Sequence, residues 1–214
     1  MLILCSAKPY YSVKKIVDDA QLNNIQTALA GAILIDPSNL TVVKKHVIEN
    51  NIATGLTKKI LDNNIYTEIY MTDKYFIQKS QKNEITKLHN FTLSFEPIMV
   101  NDLINQIKKS KIIKILPVTK TDEERKIVEQ IFLNYKDKLA IGWSTHPAIK
   151  GYFFGNITAS GISKKQSILE IVSMYKFYQK ETMVILVNLS TKTAFLIFLI
   201  TLDYKHICIN LLIY

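Results

Sequence analysis

Three residue types are scarce in this sequence of 214 residues, and each shortage excludes a class of protein. The two cysteines, Cys5 and Cys208, cannot build a disulfide framework. Six glycines and five prolines are too few for a collagenous or linker-dominated chain, and the scattered glycines form neither a phosphate-binding loop nor a dinucleotide fingerprint. With 48% hydrophobic residues the chain can bury a core, so we expect a globular protein of the reducing cytoplasm.

Arginine is nearly absent, although the formal net charge is +9. Clustered cations release counterions when they meet a phosphate backbone, which would favour nucleic acid as a partner. Of the 27 basic residues, however, only Arg125 carries the planar guanidinium on which specific base contacts rely. The lysines occur in scattered pairs on the polar faces of predicted helices, which is typical of a solvated surface. We therefore expect no nucleic-acid partner.

The sequence also lacks a basic leader and any uninterrupted apolar run long enough to span a bilayer. The first eleven residues contain only a very short apolar run, which predicts neither a signal peptide nor a membrane-spanning helix. The last thirty residues are apolar, but residues 203–206 interrupt them before the roughly twenty residues that a bilayer requires. We expect buried strands there, no membrane partner and a cytoplasmic location.

Residues that could bind a metal show no regular spacing. The cysteines are isolated and the four histidines lie far apart, so we expect no zinc site. Residues 142–147 lack the second glycine of a nucleophile elbow and the second histidine of a metalloprotease loop. We interpret this segment as a strand end and turn, where Trp143 and His146 either face a ligand or pack in the core.

The order of elements predicts an α/β chain interrupted by an α+β layer. A strand at 2–5, a helix at 12–22 and a buried strand at 28–35 form a β-α-β unit, which places the loop Ser6–Tyr11 at the carboxyl edge of a parallel sheet. Further strands are predicted at 65–71, 75–78, 91–95, 111–116, 139–142, 153–157, 183–187 and 194–203, and helices at 53–62, 97–109, 121–137 and 163–179. Thr121 and Glu124 form a capping box.

Three segments, in this order, resemble the Cof-type (HAD-IIB) phosphatases of the haloacid dehalogenase superfamily. Ser6-Ala7-Lys8-Pro9 stands in place of a Thr/Ser-Gly-Arg-Pro loop, and Ala30-Gly31-Ala32, followed by apolar residues and an aspartate, stands in place of Asn-Gly-Ala. Residues 157–165 match an Ile-Thr-x-x-Gly-Val-Ser-Lys-Gly run that opens a helix. The resemblance covers about residues 2–185.

This resemblance implies an incomplete Rossmann-like core, residues 1–45 and 153–214, with an α+β cap inserted at 46–152. It implies Mg²⁺-dependent hydrolysis of small phosphorylated metabolites, such as sugar phosphates, through an aspartyl-phosphate. Ser6 and Lys164 would contact the transferring phosphoryl group, and Lys8, Gly31, Trp143 and His146 are the candidates for substrate binding. Without the resemblance, a turn hydrogen bond is the better explanation of Ser6, and the alternative for Lys164 is a solvated position in the first turn of a helix, although a cation there is unfavourable with the helix dipole.

The chain also departs from the family pattern. No Asp-x-Asp motif precedes the Ser6 strand, and the Gly-Asp and Asn-Asp pairs that hold Mg²⁺ are missing after residue 185. We therefore expect a truncated, catalytically impaired chain that does not bind Mg²⁺. The alternative is a non-enzymatic module that binds a phosphorylated ligand or another protein. A missing core strand would leave a sheet edge, which either the apolar tail covers or self-association does.

Overall fold

A computed structural model describes residues 1–146 and 149–177 in full and, for residues 182–188 and 194–200, the backbone. The described strands are β1 Leu2–Cys5, β2 Gln26–Ala28, β3 Ile33–Asp36, β4 Thr41–Lys45, β5 Tyr66–Tyr70, β6 Tyr75–Gln78, β7 Ile98–Val100, β8 Lys114–Thr119, β9 Leu139–His146, β10 Ile149–Ala159, β11 Thr182–Asn188 and β12 Ala194–Ile200. The described α-helices are α1 Tyr10–Asp19, α2 Asn50–Asp62, α3 Glu84–Leu93, α4 Leu103–Lys108, α5 Asp122–Leu133 and α6 Lys164–Met174.

These elements build two mixed sheets of six strands. The first has the order β11-β12-β1-β2-β3-β4 and the second the order β7-β6-β5-β8-β10-β9. The predicted α/β class with an added α+β layer is therefore confirmed. One apolar cluster joins the two layers, since Leu4 and Val13 from the first pack in the same cluster as Tyr70 and Phe154 from the second.

The predicted strand at 28–35 is wrong. Gln26–Ala28 runs parallel to β1, and the chain then reverses so that β3 pairs antiparallel with β2. Leu29, Ala30 and Gly31 all adopt positive φ angles at this reversal. Because Leu29 and Gly31 are buried like the strands on either side, the turn is apolar, and hydrophobicity alone could not reveal it. The β-α-β unit survives with β2 as its second strand.

The apolar tail covers the edge beside β1, as one of the two alternatives predicted. Strand β12 pairs antiparallel with β1, from Leu2 opposite Leu199 to Cys5 opposite Leu196. Strand β11 in turn pairs antiparallel with β12. Extended apolar segments satisfy their backbone groups at such an edge, which is why this tail forms strands.

Two predicted elements of the second layer are wrong and two boundaries shift. Residues 91–95 do not form a strand, because Asn83 caps a helix that continues to Leu93 and buries one face. The predicted helix at 97–109 is divided into β7 and α4, the latter beginning where Asp102 accepts a hydrogen bond from the Asn105 amide. The strand predicted at 111–116 begins at Lys114, and the helix predicted at 163–179 ends earlier, at Met174, with Tyr175 as its C-cap.

Other elements agree with the prediction. The capping box at the start of α5 is confirmed, since Thr121 Oγ1 accepts from the Glu124 amide at 3.1 Å and the Glu124 carboxylate accepts from the Thr121 amide. Strand β10 pairs with β8 and β9 in the second sheet, so the predicted domain limit at 152 falls inside this strand. The division into core and cap otherwise stays a prediction. None of the described helices is long and apolar enough to cross a bilayer.

Candidate phosphate-binding cavity

A cavity of about 140 Å³ lies where the two layers meet. The loop after β1 and the first residue of α6 form its wall on the side of the first sheet. Strands β5, β8, β9 and β10 and helix α3 form the facing wall. Its charged and amide-bearing lining residues are Lys8, His89, Lys114, His146, Asn156 and Lys164. Its hydroxyl-bearing lining residues are Ser6, Tyr70, Thr92, Ser144 and Thr145.

Four of the six residues predicted for the site line this cavity. Ser6 and Lys164, separated by most of the chain, meet here, and Lys8 and His146 also contribute to the wall. Gly31 and Trp143 do not line it. The functional roles of all six residues stay predictions at this point, because their positions alone do not show what they bind.

Ser6 lies directly after β1 and is 2% exposed. Its Oγ accepts a hydrogen bond from the Lys8 amide at 3.1 Å, which is the turn contact that the sequence also predicted. A serine hydroxyl that accepts one hydrogen bond can still donate another through its O–H group. Ser6 can therefore hold the loop in shape and still donate to an oxygen atom of a ligand in the cavity.

Lys164 is the first residue of α6. The preceding residue, Ser163, caps the helix by accepting from the Gln166 amide at 3.1 Å. This cap fixes the direction of the first turn and so keeps Lys164 at the cavity. A cation in the first turn is unfavourable with the helix dipole, but an anion bound there would interact favourably with both.

Lys8 connects the two layers. Its Nζ donates to the carbonyl oxygen of Thr92, near the end of α3, at 2.7 Å. Burial lowers the pKa of Lys8 from 10.5 to about 8. Within the described chain Lys8 forms no ion pair. The described partner of its ammonium is the neutral Thr92 carbonyl, so an anion in the cavity would stabilise the charge of Lys8.

Lys114 is a functional candidate that sequence reasoning missed. It begins β8 and is 3% exposed, and its Nζ donates to the Ala7 carbonyl at 3.0 Å and lies 4.3 Å from the centre of the Tyr70 ring. Burial lowers its pKa to about 8, although the charge of Glu68 acts in the opposite direction. Nothing in the local pattern marks this lysine, because only the pairing of β8 with β5 and β10 turns it inward.

Behind the cavity lies a buried carboxylate, that of Glu68, which the sequence also did not reveal. Glu68 is 0% exposed and accepts hydrogen bonds from Tyr66 at 3.0 Å, from Tyr70 and from His89 Nδ1 at 2.9 Å. Burial acts to raise the pKa of Glu68, but His89 and the hydrogen bonds outweigh it and keep that pKa below its ordinary value. Glu68 therefore orients the His89 ring at the cavity wall.

Gly31 and Trp143 have packing contacts instead. A β-carbon on Gly31 would lie 2.5 Å from the carbonyl oxygen of Ser163, so Gly31 lets α6 approach the first sheet. The Trp143 ring packs over Gly155, whose β-carbon would lie 3.0 Å from that ring. Gly31 thus positions the start of α6, and Trp143 packs against another apolar cluster, which includes Leu139 and Ile157.

The cavity does not fit the magnesium ion that the resemblance implies. Mg²⁺ prefers an octahedral shell of oxygen atoms that includes one or two carboxylates. The lining residues offer ammonium, imidazole, amide and hydroxyl groups, and no carboxylate is among those that the structure describes. Among the described residues, no group of three or more His, Cys, Asp or Glu side chains is arranged so that it could hold a metal ion. The donor set is instead suited to an anion.

The fold and part of the sequence match known proteins. A family model for haloacid dehalogenase-like hydrolases matches residues 1–185, whereas no curated protein matches the chain. A haloacid dehalogenase-like hydrolase from Bacteroides thetaiotaomicron has a TM-score of 0.71 at 16% identity, covering 84% of this chain and 65% of its own. A subclass IIB sugar phosphatase of this superfamily gives 0.66 at 18% identity, covering 84% and 64%.

A third structure, from Thermotoga maritima, gives a TM-score of 0.67 at 16% identity, covering 84% of this chain and 64% of its own. This chain therefore spans slightly less than two thirds of the length of these three structures. At such identities the structures show a shared fold. Together with the family model, which matches most of the chain, they place this protein in the family of haloacid dehalogenase-like hydrolases.

Proposed function

We propose that the cavity binds the phosphate group of a small phosphorylated metabolite. The observation that carries this proposal is the lining itself. Three lysines reach one small cavity together with the Ser6 hydroxyl, and none of them forms an ion pair with a described carboxylate. Ammonium and hydroxyl donors that converge in a partly buried space are a typical binding arrangement for phosphate oxygens. The sugar phosphatase of similar fold supports a sugar phosphate or a comparable compound.

We further propose that this chain binds such a ligand without hydrolysing it. Transfer of a phosphoryl group to an enzyme requires an in-line nucleophile and neutralisation of the charge that develops. The described cavity supplies cations for the second requirement, and its lining includes hydroxyl groups but no carboxylate nucleophile. The alternative, a full Mg²⁺-dependent phosphatase, is favoured by the family alone. The cytoplasmic location stays a prediction.

Isothermal titration with inorganic phosphate tests the binding site. Lys164→Gln is expected to weaken phosphate binding about tenfold, because one charge-assisted contact is lost. Lys165→Gln is the matched control, since Lys165 is the next residue of α6, is exposed and does not line the cavity. Equal effects of the two substitutions would contradict the proposed site. Release of phosphate from p-nitrophenyl phosphate, dependent on Mg²⁺ and well above the buffer rate, would refute the proposed inactivity.

Phosphate binding is also expected to depend on pH. The pKa values of Lys8 and Lys114 are both about 8, so these ammonium groups lose their protons as the pH rises through that value. Between pH 7.5 and 9.5 the affinity for phosphate should therefore fall by about tenfold or more, measured by titration calorimetry at constant ionic strength. An affinity that stays constant over this range would show that neither lysine's charge acts on the bound anion.

A further inference from the structure

We propose that Lys114 and His89 form a second anion-binding point, so that the preferred ligand carries a carboxylate or second phosphate in addition to its phosphate monoester. This inference rests on the proposed function, since it assigns the first phosphate to the wall formed by Ser6 and Lys164. It adds the substrate class: small compounds with two separated anionic groups.

The first argument is the position of Lys114 on the facing wall. Ser6 and Lys164 belong to the layer of the first sheet, whereas Lys114 lies on β8 of the second. The cavity of about 140 Å³ between them is small, so one short ligand would contact both walls. Lys114 reaches across to the Ala7 carbonyl of the loop that carries Ser6, so a ligand whose phosphate is held by Ser6 and Lys164 would bring its neighbouring group to Lys114.

The second argument is that the Lys114 ammonium is incompletely compensated. Nζ has three protons, and its described partners are the Ala7 carbonyl at 3.0 Å, the Asn156 side-chain oxygen at 3.4 Å and the face of the Tyr70 ring, whose centre is 4.3 Å away. None of these three partners carries a negative charge. No carboxylate lies within 4.0 Å of it among the described ion pairs. A buried charge is unfavourable unless it is paired, and a ligand anion would pair it.

Glu68 does not take that place. Its carboxylate already accepts hydrogen bonds from Tyr66, Tyr70 and His89, and its influence on Lys114 acts through space. The effect of burial on the pKa of Lys114 remains larger than that of Glu68. The cation is thus attracted to Glu68 without being neutralised by direct contact.

His89 completes the second point. Glu68 holds its Nδ1, which fixes the ring plane and leaves Nε2 as the other polar atom of the ring. The ring also lies 5.3 Å from that of Phe154, which limits its rotation. His89 lines the same cavity as Lys114. A carboxylate or phosphate placed there could accept from the Lys114 ammonium, with the His89 ring beside it.

Two matched ligand pairs test the proposal on the unmodified chain. Glycerol 3-phosphate and 3-phosphoglycerate differ by one carboxylate, and fructose 6-phosphate and fructose 1,6-bisphosphate by one phosphate. In titration calorimetry we expect the more anionic member of at least one pair to bind about tenfold more tightly. The first pair reports a carboxylate as the second group and the second pair a phosphate. Equal affinities within both pairs would overturn the inference.

Substitution then assigns the preference to a residue. Lys114→Met should reduce the ratio of affinities within the preferred pair to about one, whereas Lys111→Met, at an exposed position of the same segment, should leave it near ten. A ratio that persists in Lys114→Met would overturn the role of Lys114. If that variant does not fold, the ligand comparison on the unmodified chain still decides whether a second anion is recognised.

The two proposals fail in different ways. Inorganic phosphate that binds and responds to Lys164→Gln, without any preference within the ligand pairs, would leave the proposed function standing and overturn only the second anion-binding point. Inorganic phosphate that does not bind at all would overturn both.

Discussion

Replacement of Glu68 by alanine is expected to lower the free energy of unfolding by about 3–5 kcal/mol, the range for breaking a buried ionic pair by removing one partner. The carboxylate is 0% exposed, and Tyr66, Tyr70 and His89 all direct donors towards it. Without it, these donors remain buried and unpaired, and each such group has its own desolvation penalty. Urea unfolding at neutral pH measures the loss.

Two controls separate charge from cavity formation. Glu68→Gln keeps the volume and one acceptor oxygen but removes the charge, so we expect it to destabilise less than the alanine variant. Glu123→Ala removes an exposed carboxylate from α5 and should change stability by no more than about 0.5 kcal/mol. A loss for Glu68→Ala as small as that for Glu123→Ala would contradict the buried network.

The same carboxylate should affect acid unfolding. Because the pKa of Glu68 is lowered in the folded state, the unfolded state binds more protons between that pKa and the ordinary value of 4.5. The stabilisation is therefore complete above the ordinary value and is lost as the pH falls through the folded pKa. Glu68→Gln should flatten this part of the stability profile.

Replacement of Gly31 by alanine is expected to destabilise the fold by about 3 kcal/mol, from overpacking and backbone strain together. The added β-carbon would lie 2.5 Å from the Ser163 carbonyl oxygen, and neither backbone has room to retreat without moving α6. The φ angle of +101° is a further penalty, since residues with a β-carbon avoid this region. Thermal or urea unfolding measures the loss.

Other glycines separate the two causes. Gly161 also has a positive φ angle, +76°, but nothing lies within 4 Å of its added β-carbon, so Gly161→Ala should cost only about 1 kcal/mol. Gly142 has neither feature and should tolerate alanine. Gly31→Ala should also weaken phosphate binding, because Ser163 caps the helix that carries Lys164. Equal losses for Gly31→Ala and Gly161→Ala would rule out the close contact.

Local patterns were sufficient where a segment's structure depends on its own residues. The helix that becomes α1 follows from its apolar spacing and the start of α5 from its capping box, since both depend on neighbours within one or two turns. Local patterns gave the wrong element where a buried turn or a helix cap, and not the hydrophobicity of the segment, decided the structure. The reversal at Leu29–Gly31 is apolar because it is buried, and Asn83 starts a helix through a segment that contains aromatic residues typical of strands.

The residues of the candidate site also fall into two groups, those that sequence motifs indicate and those that only the fold brings to the cavity. Family motifs singled out Ser6, Lys8 and Lys164 in the sequence, and the fold brings these residues to one cavity. Lys114 and Glu68 belong to no motif and lie on strands that, read alone, say nothing about their burial. The pairing of β5 with β8 sets Tyr70 opposite Lys114 and turns these charges into the layer interior.

The sequence by itself determined the α/β class, most of the regular elements and the candidate residues of the loop after β1, because each depends on short-range periodicity, capping or a contiguous motif. Only the tertiary structure decided that Lys114 contacts that loop from the second sheet, that Glu68 lies buried behind the cavity, and that Gly31 serves packing. Burial of charge is a property of strand pairing and layer contact. Such contacts join residues far apart in the chain, and no local pattern encodes them.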